Sequence, residues 1–185
     1  IIPNVGISPE KVAVKLTEKN FLGTGHLFQN YFSWDHTTGK RVFSTSYNIP
    51  TIKNSYINTS LQYIIDEENN YIKSFLVERK FYTPLAKWAG GAYVGQQFLR
   101  RDSILDDTVI HFQTFKYNTQ DYWVAREWQL FKGNSEVERT TNLVYSLRFL
   151  RINYLQSPTE FIDQQKFYSD QVLSLIHISE PTRRS

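Results

Sequence analysis

Ser33, Asp35 and His36 bring the three residue types of a hydrolytic triad together in the stretch "SWDH". A working triad needs a nucleophile, a base and an orienting carboxylate that converge from separate elements. Adjacent residues of a strand point to opposite faces, so these side chains could not converge. The stretch is therefore interpreted as a strand end that enters a polar loop, and it predicts no catalytic site.

The other polar residues also lack the spacing that catalysis or metal binding requires. His26 and His111 have no partner at ligand spacing. Adjacent carboxylates follow at Asp66, Glu67 and Glu68, which suits a solvated loop better than a matched acid and base. The chain has no Cys, which excludes disulfides, thiolate metal sites and cysteine nucleophiles. We therefore expect no enzyme activity, no metal and no cofactor.

The stretch "NFLGTG", residues 20–25, could cradle a phosphate with its two glycines. Such a loop needs a helix N-terminus after it and usually a lysine. The next residues, "HLFQNYFSW", instead alternate as a strand does. We interpret Asn20, Gly23, Thr24 and Gly25 as a tight turn between strands, in which the glycines permit positive φ and Thr24 bonds locally.

The elements that would position these residues are strands, because apolar residues recur with period two along most of the chain. In residues 56–65, Ile57 and Leu61 fall on one face and Ser60 and Gln62 on the other. Short polar turns separate this run from the others. Comparable runs lie at residues 26–34, 71–82, 88–100 and 140–153. Residues 108–131 form either two strands or one long strand, and hairpin parity favours one.

This pattern predicts an all-β fold: an antiparallel up-and-down meander that forms a partial, open transmembrane β-barrel. Several runs reach the ~9–11 residues that cross a bilayer at a tilt, and Tyr or Trp lies near many of their ends. We expect roughly eight strands, the low end of bacterial barrel size, with open edges near residues 11–21 and 139–155. A soluble β-barrel that binds a small apolar ligand shows the same alternation and stays the alternative.

The polar face of the predicted strands carries mostly neutral side chains, which suits a wet lumen. The residues expected to face outward are Ile57, Leu61, Tyr63, Leu143, Leu147 and Phe149, and those expected to face inward are Ser60, Gln62, Asn142 and Arg148. A charge on the lipid face costs about 2–4 kcal/mol at mid-bilayer. We therefore expect Glu78, Glu127 and Arg148 to face the lumen and to pair there.

The net charge of +3 is weak, and the basic residues are scattered among acidic ones. This distribution shows no basic stripe, so we expect no nucleic-acid partner. No apolar run approaches the ~18 residues of a membrane helix.

The last residues, "LSLIHISEPTRRS", closely resemble the translation of a transposase adapter used in sequencing-library preparation. We therefore divide the chain into a partial outer-membrane β-barrel at residues 1–172 and a non-native tail at residues 173–185. The tail is expected to pack against nothing.

Three further stretches carry a family resemblance: "EKNFLGTGHLFQNYFSWD", "YNIPTIKNSYINTSLQY" and "FLVERKFYTPLAKWAGG". They look like early barrel strands of the bacterial surface-antigen superfamily, with its Asn-aromatic-Leu-Gly-x-Gly turn and a following strand that ends in "NIP". The resemblance covers residues 11–91 well. The family's Arg-Gly-Phe motif and its periplasmic repeats are not found in this sequence.

The resemblance implies a bacterial outer-membrane location and a role in inserting outer-membrane proteins or translocating polypeptides. The implied partners are outer-membrane lipid, client outer-membrane polypeptides and assembly lipoproteins. The turn at residues 23–25 would be periplasmic. An openable seam would offer backbone hydrogen bonds to an incoming strand. A third interpretation is a barrel fused to an enzyme domain upstream.

Overall fold

The structure, a computed structural model, describes residues 2–53, 55–82, 86–106, 109–129, 142–158 and 166–179. These residues form ten strands in one sheet. The strands are β1 (Ile2–Ile7), β2 (Lys11–Phe21), β3 (His26–Asp35), β4 (Arg41–Ile49), β5 (Ile57–Ile65), β6 (Tyr71–Arg79), β7 (Trp88–Asp106), β8 (Val109–Gln129), β9 (Asn142–Gln156) and β10 (Gln171–Ser179).

Each strand pairs antiparallel with the next strand in the sequence, from β1 to β10. Among the described residues, β1 and β10 each have one neighbour, so the sheet is open. The predicted all-β, antiparallel, up-and-down meander with open edges is confirmed. Residues 109–129 form one strand, as hairpin parity favoured.

The predicted number of strands and the predicted edges are wrong. The sheet has ten strands rather than about eight, and its edges are β1 and β10 rather than β2 and β9. On one side the extra strand arises because Ser8 closes a hairpin: its backbone N–H donates to the Lys11 carbonyl at 2.8 Å, and its Oγ accepts from the Lys11 N–H at 2.9 Å. Residues 2–7 then pair with β2.

The expectation that residues 173–185 pack against nothing is wrong for residues 173–179, which pair with β9 as part of β10. The physical reason is that the open edge of β9 offers unpaired N–H and C=O groups to any segment of high β propensity. Side chains of both faces of β10 remain exposed, with Leu175 at 48% and Ile176 at 62%. Residues 180–185 lie outside the described residues.

Two strands extend well beyond their neighbours. β6 pairs with β7 only as far as Phe98, and β9 pairs with β8 only as far as Lys116. Beyond these residues β7 and β8 pair with each other alone. They form a two-stranded ribbon that projects from the end of the sheet opposite to the turn at residues 21–25. We call the end with that turn the proximal end and the opposite end the distal end.

The turn between β2 and β3 has the geometry that its glycines predict. Gly23 and Gly25 both have φ of 75°. The Thr24 N–H donates to the Phe21 carbonyl at 3.1 Å, and Thr24 Oγ1 donates to the same carbonyl at 2.5 Å. Asn20 Oδ1 accepts from the Gly25 N–H at 2.6 Å, which closes the loop from the other side.

Leu22 is the unexpected residue of this turn, because its φ is 53° and its side chain is 84% exposed. Positive φ at both central residues of the turn from Phe21 to Thr24 is the pattern in which Asn-Gly is preferred. We expect Leu22→Asn to raise the free energy of unfolding by about 0.5–1 kcal/mol, because Asn tolerates this conformation. Urea titration of the chain in detergent micelles, followed by tryptophan fluorescence, measures the change.

The matched control is Leu22→Ala, which removes the same exposed apolar surface and gains no tolerance of positive φ. Equal stability of the two variants would contradict this account of the turn.

Candidate functional site

The sheet has two chemically different faces. In β5 one face carries Ile57, Leu61 and Tyr63, and the other carries Ser60 and Gln62. Residues paired across antiparallel strands share a face, so the register extends both faces over the whole sheet. We call the face of Leu61 the apolar face and the face of Gln62 the polar face. The register assigns Leu143, Leu147 and Phe149 to the apolar face.

The exposure of the side chains differs between the faces. Leu61 is 49% exposed and Leu147 is 40% exposed, so the apolar face does not form a closed core. Within the described strands, the buried residues all belong to the polar face, at 1–5% exposure: Ser33, Ala89, Gln113 and Ala125. The most enclosed positions of the described strands therefore lie on the polar face.

The apolar residues form a band that shifts steadily along the strands. One row of paired residues runs from Glu18 in β2 through Leu61 in β5 to Arg151 in β9. In β2 the middle of the band, near Val14, lies about four residues to the distal side of this row. In β9 its middle lies about five residues to the proximal side, between Tyr145 and Leu147. From β2 to β9, the middle of the band therefore moves about nine residues toward the proximal end, relative to the rows of paired residues. Over the seven steps from one strand to the next, this is about 1.3 residues per strand.

Aromatic side chains mark the proximal border of this band near His26, whereas Arg126 lies within the band, because it is paired with Tyr145 close to the middle of the band in β9. His26 Nδ1 and the Tyr47 hydroxyl are hydrogen bonded at 2.5 Å. The Arg126 guanidinium lies over the rings of Trp88 and Trp128, 4.8 Å and 5.1 Å from their centroids. Contacts of this length fall within the range of cation–π attraction.

The distal border carries both aromatic rings and cations. The Lys73 ammonium lies 4.8 Å from the ring centroid of Tyr71 and 5.6 Å from that of Tyr63. The Arg41 guanidinium lies 5.9 Å from the Trp34 ring centroid. Aromatic rings with attached cations therefore mark the distal border of the apolar band.

On the polar face, one row joins two of the predicted charges. Glu78 is paired with Gly91, Gly91 with Trp123, and Trp123 with Arg148. A Cβ at Gly91 would lie 2.5 Å from Trp123 Nε1 and 3.2 Å from Glu78 Cβ. The indole ring therefore lies across Gly91, in the space that a side chain would fill. Gly95 accommodates the Tyr93 ring in the same way.

The three predicted charges share the polar face, and Glu78 and Arg148 each form an ion pair there. Arg148 Nε donates to Asp121 Oδ1 at 2.8 Å, and its Nη2 donates to Asp121 Oδ2. Glu78 accepts from Lys80 Nζ at 3.0 Å, and this carboxylate raises the pKa of Lys80 above its usual value. Glu127 lies nearer the proximal end, where its N–H donates to the Lys87 carbonyl at 3.0 Å.

Sequence reasoning missed the most specific partner in this set, Asp121. Asp121 lies within residues 108–131, for which the sequence pattern allows either two strands or one long strand. Its position in an alternating run, on the same face as Trp123, was the available signal. The side chain of Asn142, expected to face inward, and that of His111 lie outside the described residues.

The described part of the chain contains no group of three or more His, Asp or Glu side chains that could hold a metal ion. It also contains no helix that is long and apolar enough to cross a membrane.

No protein-family model, no curated protein and no solved structure matches this chain.

Gly91 offers a direct test of the arrangement on the polar face. We expect Gly91→Ala to lower the free energy of unfolding by roughly 1–3 kcal/mol, because the new methyl group displaces the Trp123 ring. The near-ultraviolet circular dichroism of the folded chain should change as well. Gly6→Ala is the matched control, since a Cβ at Gly6 meets nothing within 4 Å. Equal losses in the free energy of unfolding for Gly91→Ala and Gly6→Ala would show that the Trp123 contact has no energetic role.

Proposed function

We propose that this chain is part of an outer-membrane β-barrel that inserts outer-membrane proteins or translocates polypeptides. The apolar face contacts lipid and the polar face lines the lumen. The single observation that carries the membrane part of this proposal is the diagonal course of the apolar band.

The course of the band gives the inclination of the strands. A shift of about 1.3 residues per strand, with a rise of ~3.4 Å per residue and a strand spacing of ~4.8 Å, corresponds to strands inclined by about 40°. Membrane barrels have strand tilts of ~35–45°. The hydrocarbon layer of a bilayer crosses such tilted strands at a position that moves from each strand to the next. The apolar residues that contact this layer therefore form a band that shifts in the same way.

The distal border of the band supports the same proposal. Amphipathic rings prefer the interfaces of a bilayer, and Lys and Arg keep their charges in the wet zone there. Arg126 is the charge that this proposal has to accommodate: it is paired with Tyr145, close to the middle of the band, where a charge on the lipid face costs about 2–4 kcal/mol. Its guanidinium lies over the rings of Trp88 and Trp128, which offset part of that cost.

The soluble alternative is less well supported. A soluble barrel that binds an apolar ligand would enclose its apolar side chains, whereas Leu61 and Leu147 are about half exposed. Exposed apolar surface of this extent requires a cover, and lipid is the cover that fits a tilted band.

The role in insertion rests on the resemblance, and the open edge supports it. β1 has one neighbour among the described residues, so its outer side offers backbone N–H and C=O groups to an added strand.

The orientation of the faces can be tested with single cysteines, because the chain has none of its own. Spin labels at Leu61→Cys and Leu147→Cys, in chain reconstituted into phospholipid vesicles, should be reached by oxygen several-fold better than by a water-soluble nickel complex. Labels at Gln62→Cys and Ser146→Cys serve as matched controls and should show the reverse preference. Nickel access at Leu61 and Leu147 would contradict the membrane orientation.

The role in insertion predicts strand addition at the edge. A client barrel polypeptide with one cysteine in its last strand should form a disulfide with Val5→Cys in β1 of the reconstituted chain. Tyr47→Cys, in the interior strand β4, is the control and should give only background crosslinking. Equal yields at both positions would remove support for insertion and leave the membrane orientation untouched.

A further inference from the structure

The apolar face contains a groove of about 660 Å³ that runs across four strands, from β5 to β8. Its floor is a row of backbone with Gly95 near the middle. Its two walls are the rows on either side of that floor, and both rows belong to the apolar face. The groove is therefore a feature of the surface that we propose to contact lipid, and the present inference rests on that proposal.

One wall of the groove is mostly apolar. It consists of Leu61, Phe75 and Val94 in consecutive strands, followed by Gln120 in β8. Three aliphatic or aromatic side chains in a row present a continuous surface about 10–15 Å long, at the ~4.8 Å spacing of strands. An acyl chain packs well against a surface of this kind.

The other wall is polar and is fixed by hydrogen bonds. It consists of Tyr63, Lys73, Gln96 and Asn118, again in consecutive strands. The Tyr71 hydroxyl donates to Gln96 Oε1 at 3.0 Å, and Gln96 Nε2 donates to Asn118 Oδ1 at 3.0 Å. The amide groups are thereby held in place before any ligand arrives.

The inclination of the strands gives the groove a direction relative to the bilayer. In β5 the groove lies at the middle of the apolar band, beside Leu61. In β8, because the band has shifted toward the proximal end, the same groove lies beyond the distal border, beside Asn118 and Gln120. The groove therefore rises from the hydrocarbon zone into the headgroup zone.

Cations lie at and above the upper end of the groove. Lys73 is part of the polar wall, Gln120 is paired with Arg151, and Lys116 lies two residues from Asn118 on the same face. Among the described residues, a carboxylate also lies near these cations, that of Asp170. Both of its oxygens accept from Asn153 Nδ2 at 2.7 Å. The charge of the upper end thus suits an anionic group.

We infer that the groove binds a phosphorylated glycolipid of the membrane leaflet at the distal end. One acyl chain lies along Phe75 and Val94. One phosphate contacts Lys73 in β6 and a second contacts Arg151 in β9, three strand spacings or about 14 Å away. Between them, sugar hydroxyls contact the amides of Gln96 and Asn118. Charge-assisted hydrogen bonds attract the phosphates, and the amide groups both donate and accept, as a sugar requires.

The test titrates the whole chain, refolded in neutral detergent micelles, with diphosphorylated lipid A and counts bound lipid by native mass spectrometry. Lys73→Gln and Arg151→Gln should each weaken binding by about tenfold, the loss of one charge-assisted contact. Lys15→Gln, which removes a lysine from the polar face of β2, is the matched control and should bind as the unaltered chain does.

The lipid is varied as well as the protein. Lipid A without its phosphates and phosphatidylglycerol, which has a phosphate but no sugar, should each bind at least several-fold more weakly than diphosphorylated lipid A. Equal binding of all three lipids, or unchanged binding by both Lys73→Gln and Arg151→Gln, would overturn the inference.

Failure of this inference differs from failure of the proposed function. If spin labels at Leu61 and Leu147 report contact with lipid while the groove variants bind lipid A normally, the glycolipid site alone is wrong. If those labels report contact with water, the membrane orientation is wrong and the glycolipid site fails with it.

Discussion

Backbone hydrogen bonding between consecutive strands is the interaction on which this structure depends. The described strands bury few side chains deeply: their buried apolar residues are Ala89 and Ala125, at 4% and 5% exposure. A sheet with so small a core is held by its ladders, which run without a crossover from β1 to β10. Because side chains alternate with period two, a slip of one residue would exchange the faces of a whole strand. The register therefore determines every surface property of this protein.

The register brings about a separation of chemistry that no single strand has by itself. Large apolar side chains collect on one face and remain exposed, while small and polar ones collect on the other. On the polar face, Gly91 and Gly95 leave room for the rings of Trp123 and Tyr93. Aromatic rings there lie against backbone, and Glu78 and Arg148 find partners within the same surface. The polar face is thus ordered by its own contacts, whereas the apolar face leaves large apolar side chains exposed.

The two edges of the sheet follow from the same backbone chemistry. β10 shows how readily an open edge recruits a strand: its side chains are exposed on both faces, yet it pairs with β9 over its full length. Pairing of this kind depends little on side-chain complementarity. The behaviour that makes an open edge a hazard in water also makes it suitable for accepting an incoming strand, which is the mechanism the proposed function uses.

The sequence by itself determined the strand type, the two faces, the turn at Gly23 and Gly25, and the common face of Glu78, Glu127 and Arg148. These features are local, because they depend on alternation within one strand and on the φ angles that glycine permits. The tertiary structure alone decided that Arg148 binds Asp121, that the apolar band crosses the strands diagonally, and that a groove links the band to its distal border. It also decided that β1 and β10 join the sheet. The physical reason is that register couples residues far apart in the chain, and the alternation of one strand leaves its alignment with the next undetermined.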